Sequence, residues 1–139
     1  MAAPPVDLAK GWHDNMEMSR LRFLEPCKPT LASRIPTGPN WTHEPKLDGW
    51  RLQIIKDGDN VRLLSRRGAD YTARLPGLVA VLQRLPDAVL ILDAELTAAD
   101  GFQALQSLMR RSGPISDGVA LYAFGCLWRH AIRSAFTEK

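Results

Sequence analysis

Hydrophobic and polar side chains become regularly patterned only after residue 49. From there to residue 66 they alternate on either side of residues 57–60, whose sequence is DGDN. Such alternation is typical of a strand with one buried face, and Asp-Gly is a strong turn signal between two strands. The pattern therefore predicts a β-hairpin over residues 49–66, with a half-buried first strand.

Four further elements follow along the chain. Apolar residues at helical spacing predict helices over residues 75–85 and 102–110, the first with Pro76 in its opening turn. Continuous apolar runs predict strands over residues 89–96 and 119–127. Because strands and helices mix without a regular βαβ repeat, the predicted fold class is α+β, with mixed or antiparallel sheets and packed helices.

The first 40 residues are punctuated by prolines, which interrupt helix interiors and central strands; these are Pro4, Pro5, Pro26, Pro29, Pro36 and Pro39. We therefore predict an extended N-terminal arm over residues 1–40, with one short helix over residues 14–24. Residues 41–139 are predicted to form the domain proper, since 139 residues suit a single domain.

Composition says more about the compartment and the partners of the chain than about the reaction it performs. A net charge of +3 suits a polyanionic partner without requiring one. There is no apolar run of about 18 residues for a transmembrane helix, and the N-terminus lacks the pattern of a secretory signal. Cys27 and Cys126 lack metal-site spacing. We therefore expect a reduced, cytoplasmic chain without a membrane partner.

Lys46 is the first candidate for chemistry, in the pattern K-x-D-G-x-R of residues 46–51. A lysine attacks as the neutral amine, and at the unperturbed pKa only about one in a thousand is neutral near pH 7.4. A nucleophilic lysine therefore needs neighbouring positive charge or desolvation. Arg51 and the Arg66–Arg67 pair are candidates for that charge. The alternative is a solvated lysine before an Asp-Gly turn.

Other candidates each have a structural alternative. Arg66 and Arg67 suit a phosphate clamp or a charged strand end that resists edge pairing. Asp93 and Glu95, two apart on a predicted strand, share one face. They suit ion pairs with arginines, or ligation of Mg²⁺ or a ribose hydroxyl. Phe124 suits core packing or stacking on a planar base.

Four segments occur in a specific order: residues 46–51 (KLDGWR), 65–68 (SRRG), 92–96 (LDAEL) and 121–124 (LYAF). In combination, over roughly residues 26–128, they resemble the nucleotidyltransferase (adenylation) domain of ATP-dependent DNA ligases, particularly the bacterial kind. The resemblance implies a partial ATP-grasp-like nucleotidyltransferase fold. Arg51 argues against NAD-dependent ligases. RNA ligases and messenger RNA capping enzymes share the lysine motif and stay as alternatives.

The resemblance also implies a reaction and its residues. Lys46 would attack the α-phosphate of ATP, with Mg²⁺, and form lysyl-AMP. AMP would then pass to a 5′-phosphate at a nick in double-stranded DNA, during repair or recombination. The implied nucleotide contacts are Glu44 for adenine, Arg51 and Arg67 for ribose or phosphate, Glu95 for ribose or Mg²⁺, and Phe124 for stacking on adenine.

Two departures from the family pattern limit this expectation. Gly125 stands where the family generally has aspartate, and only 15 residues (139 − 124) follow Phe124. The family's later glutamate and lysine motifs, and its oligonucleotide-binding barrel, then have no place. We therefore expect a truncated adenylation domain with weak or no ligation by itself. A second chain could supply the missing motifs. The alternatives are a degenerate nucleotide- or DNA-binding module without catalysis, and a non-functional remnant of a truncated reading frame.

Overall fold

A computed structural model of the chain describes residues 22–131 and confirms the predicted order of elements. The helix predicted over residues 14–24 lies almost entirely outside the described residues, as does the first half of the arm. None of the helices within residues 22–131 is long and apolar enough to cross a membrane. The elements are β1 (Trp50–Asp57), β2 (Asn60–Ser65), a 3-10 turn (Thr72–Arg74), α1 (Pro76–Gln83), β3 (Asp87–Ala98), α2 (Gly101–Arg110) and β4 (Val119–Ala131).

The four strands form one antiparallel sheet in the order β2-β1-β3-β4. Its register places Leu52 of β1 opposite Ser65 of β2 and Ala94 of β3. With two helices packed on it, this sheet confirms the α+β class. The sheet is antiparallel throughout, so the mixed alternative does not describe it.

One face of the sheet carries the main hydrophobic core. Even-numbered residues of β1 and β3 point into it, together with apolar side chains of the two helices and of the turn before α1. Its fully buried members include Leu52, Ile54, Leu63, Leu75, Leu96 and Leu105. Burial of this apolar surface is the main force that holds the helices against the sheet.

The opposite face is covered as well, by the arm. Ile55, Leu64 and Ile91 form a second buried cluster, against which Phe23 and Leu24 pack. All five residues from position 52 to 56 of β1 are therefore buried. The prediction of a half-buried strand is wrong, because the arm covers the face that the alternating pattern assigned to solvent.

The two edges of the sheet differ. Beyond β2 the chain turns back, and its backbone covers that edge: the Ser65 N–H donates to Ala69 O at 2.8 Å, and the Tyr71 N–H to Leu63 O at 2.8 Å. β4 forms the other edge. Its register with β3 shifts between the pairs Asp93–Gly125 and Ala94–Ala123, which leaves Phe124 as an inserted residue. Such bulges re-aim a side chain.

Gly49 marks the point where the chain enters the sheet against β3. A Cβ atom there would overlap the carbonyl oxygen of Leu96 and lie 2.9 Å from Cγ of Glu95. The glycine of the K-x-D-G-x-R pattern is thus required by close approach of two backbones. This approach brings the segment that carries Lys46 next to Glu95.

We expect Gly49→Ala to lower the free energy of unfolding by about 3 kcal/mol, because the Leu96 backbone has to move. Gly77→Ala is the matched control. Its Cβ would lie 3.6 Å from Ser116 O, an ordinary contact, in the first turn of α1. The control should be neutral or stabilising by less than about 1 kcal/mol. Urea denaturation measures both, and equal effects of the two substitutions would contradict the steric account.

Candidate active site

An open cleft of about 1520 Å³ lies between the arm and the arm-covered face of the sheet. Its walls come from five segments: the arm, the loop before β1, the start of β1, the end of β2 with the loop after it, and β3. Five of its side chains are cationic and three are acidic, so the cleft attracts polyanions. The cationic residues are Lys28, Lys46, Arg51, Arg66 and Arg67, and the acidic ones are Glu25, Asp48 and Glu95.

Lys46 stands in the loop before β1, with 87% of its side chain exposed. Its Nζ lies 3.5 Å from Oδ1 of Asp48, whose side chain is 71% exposed. The sequence led us to expect burial or nearby positive charge at a nucleophilic lysine. In this structure the amine is not buried, and its ion-pair partner is a carboxylate.

Arg51 lies on β1 and is held by the protein itself. Its Nε and Nη2 donate to the two carboxylate oxygens of Asp93 at 2.9 and 2.5 Å. Nη1 donates to the carbonyl oxygen of Cys27 at 3.0 Å. The pair is largely buried, with 22% of the Arg51 and 7% of the Asp93 side chain exposed. The hydrogen bonds to Asp93 raise the pKa of Arg51 above its ordinary value.

Asp93 therefore forms an ion pair with an arginine, which was the structural alternative to binding Mg²⁺ or a ribose hydroxyl. The same guanidinium also lies 5.6 Å from the ring centroid of Phe124, within cation–π range. Arg51 thus links three parts of the molecule: β3, β4 and the arm. Its implied contact with ribose or phosphate stays a prediction, since these donors already have protein partners.

Glu95 lies opposite Arg51 in the β1–β3 register and lines the cleft with Lys46. Burial raises the pKa of its carboxyl group. The backbone of Gly49 acts in the other direction, as do the charges of Arg51 and Lys46. A half-buried carboxylate facing a cationic cleft is suited to contact a hydroxyl group or a hard cation.

Arg66 and Arg67 are exposed in the turn after β2. Gly68 closes this turn with φ of 82°, a left-handed conformation that favours glycine. The Gly68 N–H donates to Ser65 O at 2.8 Å. The turn therefore presents both guanidinium groups to the cleft and away from the core.

Glu44 and Phe124 are the two site residues that do not line the cleft. Glu44 is exposed in the loop before β1. Phe124 is 53% exposed on β4, so core packing, the structural alternative, is wrong for this residue. The structure thus brings Lys46, Arg51, Arg67 and Glu95 to one cleft and leaves these two outside its lining.

Sequence reasoning missed the contribution of the arm. Lys28, Pro29 and Leu31 line the cleft, as do Trp50 and Tyr71, whose rings meet edge to face with centroids 5.9 Å apart. Lys28 is one of only five lysines in the chain, which was an available signal. Nothing local in the sequence indicates that Tyr71 returns to the cleft.

Comparison with known proteins identifies the family. The family described as ATP dependent DNA ligase domain matches residues 25–134, most of the chain. The chain belongs to the ATP-dependent DNA ligase family. This confirms the resemblance carried by the four ordered segments.

Two relatives of this DNA ligase family member are considerably longer than the chain. A "Probable DNA ligase" of Anaeromyxobacter sp. (strain K) is 40% identical over 126 residues, which cover 81% of this chain and 24% of that protein. The "Multifunctional non-homologous end joining protein LigD" of Pseudomonas aeruginosa is 43% identical over 86 residues, covering 57% of this chain and 10% of that protein. The chain spans about a quarter of the length of the probable ligases it matches.

A solved structure agrees with this assignment. The ligase domain of M. tuberculosis LigD superposes with a TM-score of 0.51 at 32% sequence identity, covering 64% of this chain and 30% of that one. The antiparallel sheet with its two helices is thus a part of the fold found in the ligase domain.

We expect Arg51→Ala to lower the free energy of unfolding by about 3 kcal/mol, because it leaves the buried Asp93 carboxylate unpaired. Adding Asp93→Asn should recover part of that loss, since no unpaired charge is then buried. Arg34→Ala, which removes an exposed arginine of the arm, is the control and should change the free energy by less than about 0.5 kcal/mol. Urea denaturation measures all four proteins. A double variant no more stable than Arg51→Ala would contradict the role of the pair.

Glu95→Gln should stabilise the fold slightly at pH 7.5. Because burial raises the pKa of Glu95 in the folded state, ionisation costs stability above that pKa, and the cost disappears as pH falls to the unfolded value. The gain should stay below about 1 kcal/mol, since solvent screens the half-buried group. Glu25→Gln is the control, because Lys28 lowers the pKa of that carboxyl and no gain is expected. A gain for Glu95→Gln that persists at pH 3.5, or none at pH 7.5, would contradict this cause.

Proposed function

We propose that this chain performs nucleotide activation for DNA joining, with Lys46 as the nucleophile toward ATP. The observation that carries the proposal is the common cleft: Lys46 shares it with Glu95 and with the Arg66–Arg67 turn, in a chain of the ATP-dependent DNA ligase family. Paired guanidinium groups donate to phosphate oxygens, and a carboxylate accepts from a ribose hydroxyl or holds a cation, so this group of side chains suits a nucleoside triphosphate.

In the proposed reaction the Lys46 amine loses its proton and forms a bond from Nζ to the α-phosphorus of ATP. The bond from that phosphorus to the bridging oxygen breaks, and pyrophosphate leaves with the electron pair. Because Lys46 is exposed and paired with Asp48 in the structure described here, its activation has to accompany nucleotide binding. Nucleotide in the cleft would exclude water from the amine, and Arg66 and Arg67 would balance the phosphate charge.

Glu95 is the residue that fits Mg²⁺. Mg²⁺ is usually held by one or two carboxylates together with substrate phosphates and water, so one half-buried carboxylate is a sufficient protein contribution. Within residues 22–131, no group of three or more histidine, cysteine or acidic residues could hold a metal by itself, which fits such a shared site. Bound there, Mg²⁺ would neutralise charge that develops on the phosphates.

The remaining contacts follow from the family. We assign Arg67 to the phosphates, Glu44 to adenine recognition, and the exposed ring of Phe124 to stacking on the base. We assign Arg51 mainly to holding Asp93, Cys27 and Phe124 in place, because three of its five N–H groups already donate to Asp93 and Cys27 and its guanidinium lies against the Phe124 ring. Within this proposal the fold is an ATP-grasp-like nucleotidyltransferase domain.

The same proposal extends to the wider reaction. AMP would be transferred from Lys46 to a 5′-phosphate at a nick in double-stranded DNA, in repair or recombination within the cytoplasm. A second chain that supplies further motifs would raise the activity. These steps rest on the family, since the chain spans about a quarter of its relatives.

A binding module without catalysis is the second candidate function. The observation that favours it is the ion pair of Lys46 with Asp48 at 3.5 Å in a solvent-exposed loop, an arrangement that does not activate an amine. In that case the cleft would hold nucleotide or DNA through its cationic residues alone, and binding would weaken steeply with salt.

Self-adenylation is tested with Mg²⁺ and ATP labelled at the α-phosphate, followed by a denaturing gel. We expect label on the wild type, and at least about a hundredfold less on Lys46→Ala, because the attacking amine is absent. Lys46→Arg is the matched control, since it keeps the charge but should also lose the label. A folded wild type that binds ATP by calorimetry without acquiring label would overturn the catalytic proposal in favour of the binding module.

A further inference from the structure

The Gln53 side chain is buried at 2% exposure in the middle of β1, where the hydrophobic pattern gave it no role. Its Oε1 accepts the backbone N–H of Leu24 at 2.8 Å, and its Nε2 donates to the backbone carbonyl of Leu24 at 2.8 Å. One amide side chain thus satisfies both polar backbone groups of an arm residue, as a neighbouring strand would.

This contact stands at the base of one wall of the cleft. Directly after Leu24, the residues that line the cleft include Glu25, Pro26 and Lys28, and Leu31 follows further along. A third hydrogen bond between the sheet and this segment is donated by Arg51 to the carbonyl of Cys27. The position of the wall therefore depends on how firmly the arm is held at residues 24 and 27.

We propose that Gln53 is a positioning residue for the nucleotide cleft, which it sets through Leu24 without lining it. The inference rests on the proposed function, since the wall matters only if ATP binds there. If the arm is docked for only part of the time, the apparent affinity for ATP falls in proportion to the docked fraction. Gln53 would then control the affinity for nucleotide and not the chemical step at Lys46.

Gln53→Met tests the inference, because methionine has a similar length and volume but makes neither hydrogen bond. The first measurement is hydrogen exchange of the Leu24 amide in the full chain by NMR. We expect its exchange to become at least about tenfold faster, since this N–H loses its acceptor. Amides of Leu63 and Ile91 in the buried sheet should stay protected and report that the variant is folded.

The second measurement is the ATP concentration that gives half the maximal rate of lysyl-AMP formation. We expect about a tenfold increase for Gln53→Met, with the maximal rate within about twofold of the wild type. Gln53→Leu, which also makes neither hydrogen bond and introduces no charge, should behave as Gln53→Met does, and provides the test if the methionine variant does not fold.

Asp87→Asn is the control for general destabilisation. It weakens the ion pair of Asp87 with Arg129, whose Nε–Oδ1 distance is 2.6 Å, at the opposite end of β3 from Glu95. Irreversible loss of folded protein reduces the maximal rate and leaves the half-saturating ATP concentration unchanged, and a chain that is unfolded only rarely changes neither quantity. A Gln53 effect is therefore distinguishable from a loss of stability.

The outcomes separate the two proposals. Fast exchange at Leu24 with an unchanged half-saturating ATP concentration overturns the positioning role. So does unchanged exchange at Leu24, since Gln53 would then not hold the arm. If the wild type neither binds ATP nor acquires label, the proposed function is wrong, whatever the rate of hydrogen exchange at the Leu24 amide.

Discussion

The ion pair between Arg51 and Asp93 is the interaction on which the site depends. It joins β1 to β3 by two hydrogen bonds, and its third hydrogen bond holds the arm at Cys27. An isolated carboxylate as buried as Asp93 would be costly, and the bidentate geometry offsets that cost. Glu95 lies opposite Arg51 in the β1–β3 register, and Lys46 stands five residues before Arg51 (51 − 46), so both lie beside the pair.

The sheet could largely be predicted, because its signals are local. Alternation around an Asp-Gly turn defines the hairpin, and the apolar stripe ending in Leu105 and Met109 defines α2. The covered second face could not be predicted. Gln53 is a polar residue of the kind found at solvent-facing strand positions. Its partner Leu24 lies 29 residues earlier, in a segment without a periodic pattern. Pairing at that distance leaves no trace in a periodicity.

Some features of the candidate site could likewise be predicted from the sequence, and others could not. Lys46, Arg67 and Glu95 could be assigned because each belongs to a short ordered motif, and the cleft contains all three. The exposure of Phe124 could not be inferred from an apolar run, since it results from a register shift in β4. The exposure of Lys46 and its ion pair with Asp48 could not be predicted either, because both depend on the loop conformation and not on the motif.

The close approach of Gly49 to Leu96 has a consequence for how the protein folds. Arg51 and Asp93 are 42 residues apart, so a long loop has to close before β1 meets β3. The hairpin of β1 and β2 is local and can form first, and it already carries Lys46 at its entrance. Until β3 docks, however, that lysine has Asp48 as a neighbour but lacks Glu95, which β3 supplies. The cleft therefore cannot be complete before the central strand pair forms, and the hairpin alone does not carry the site.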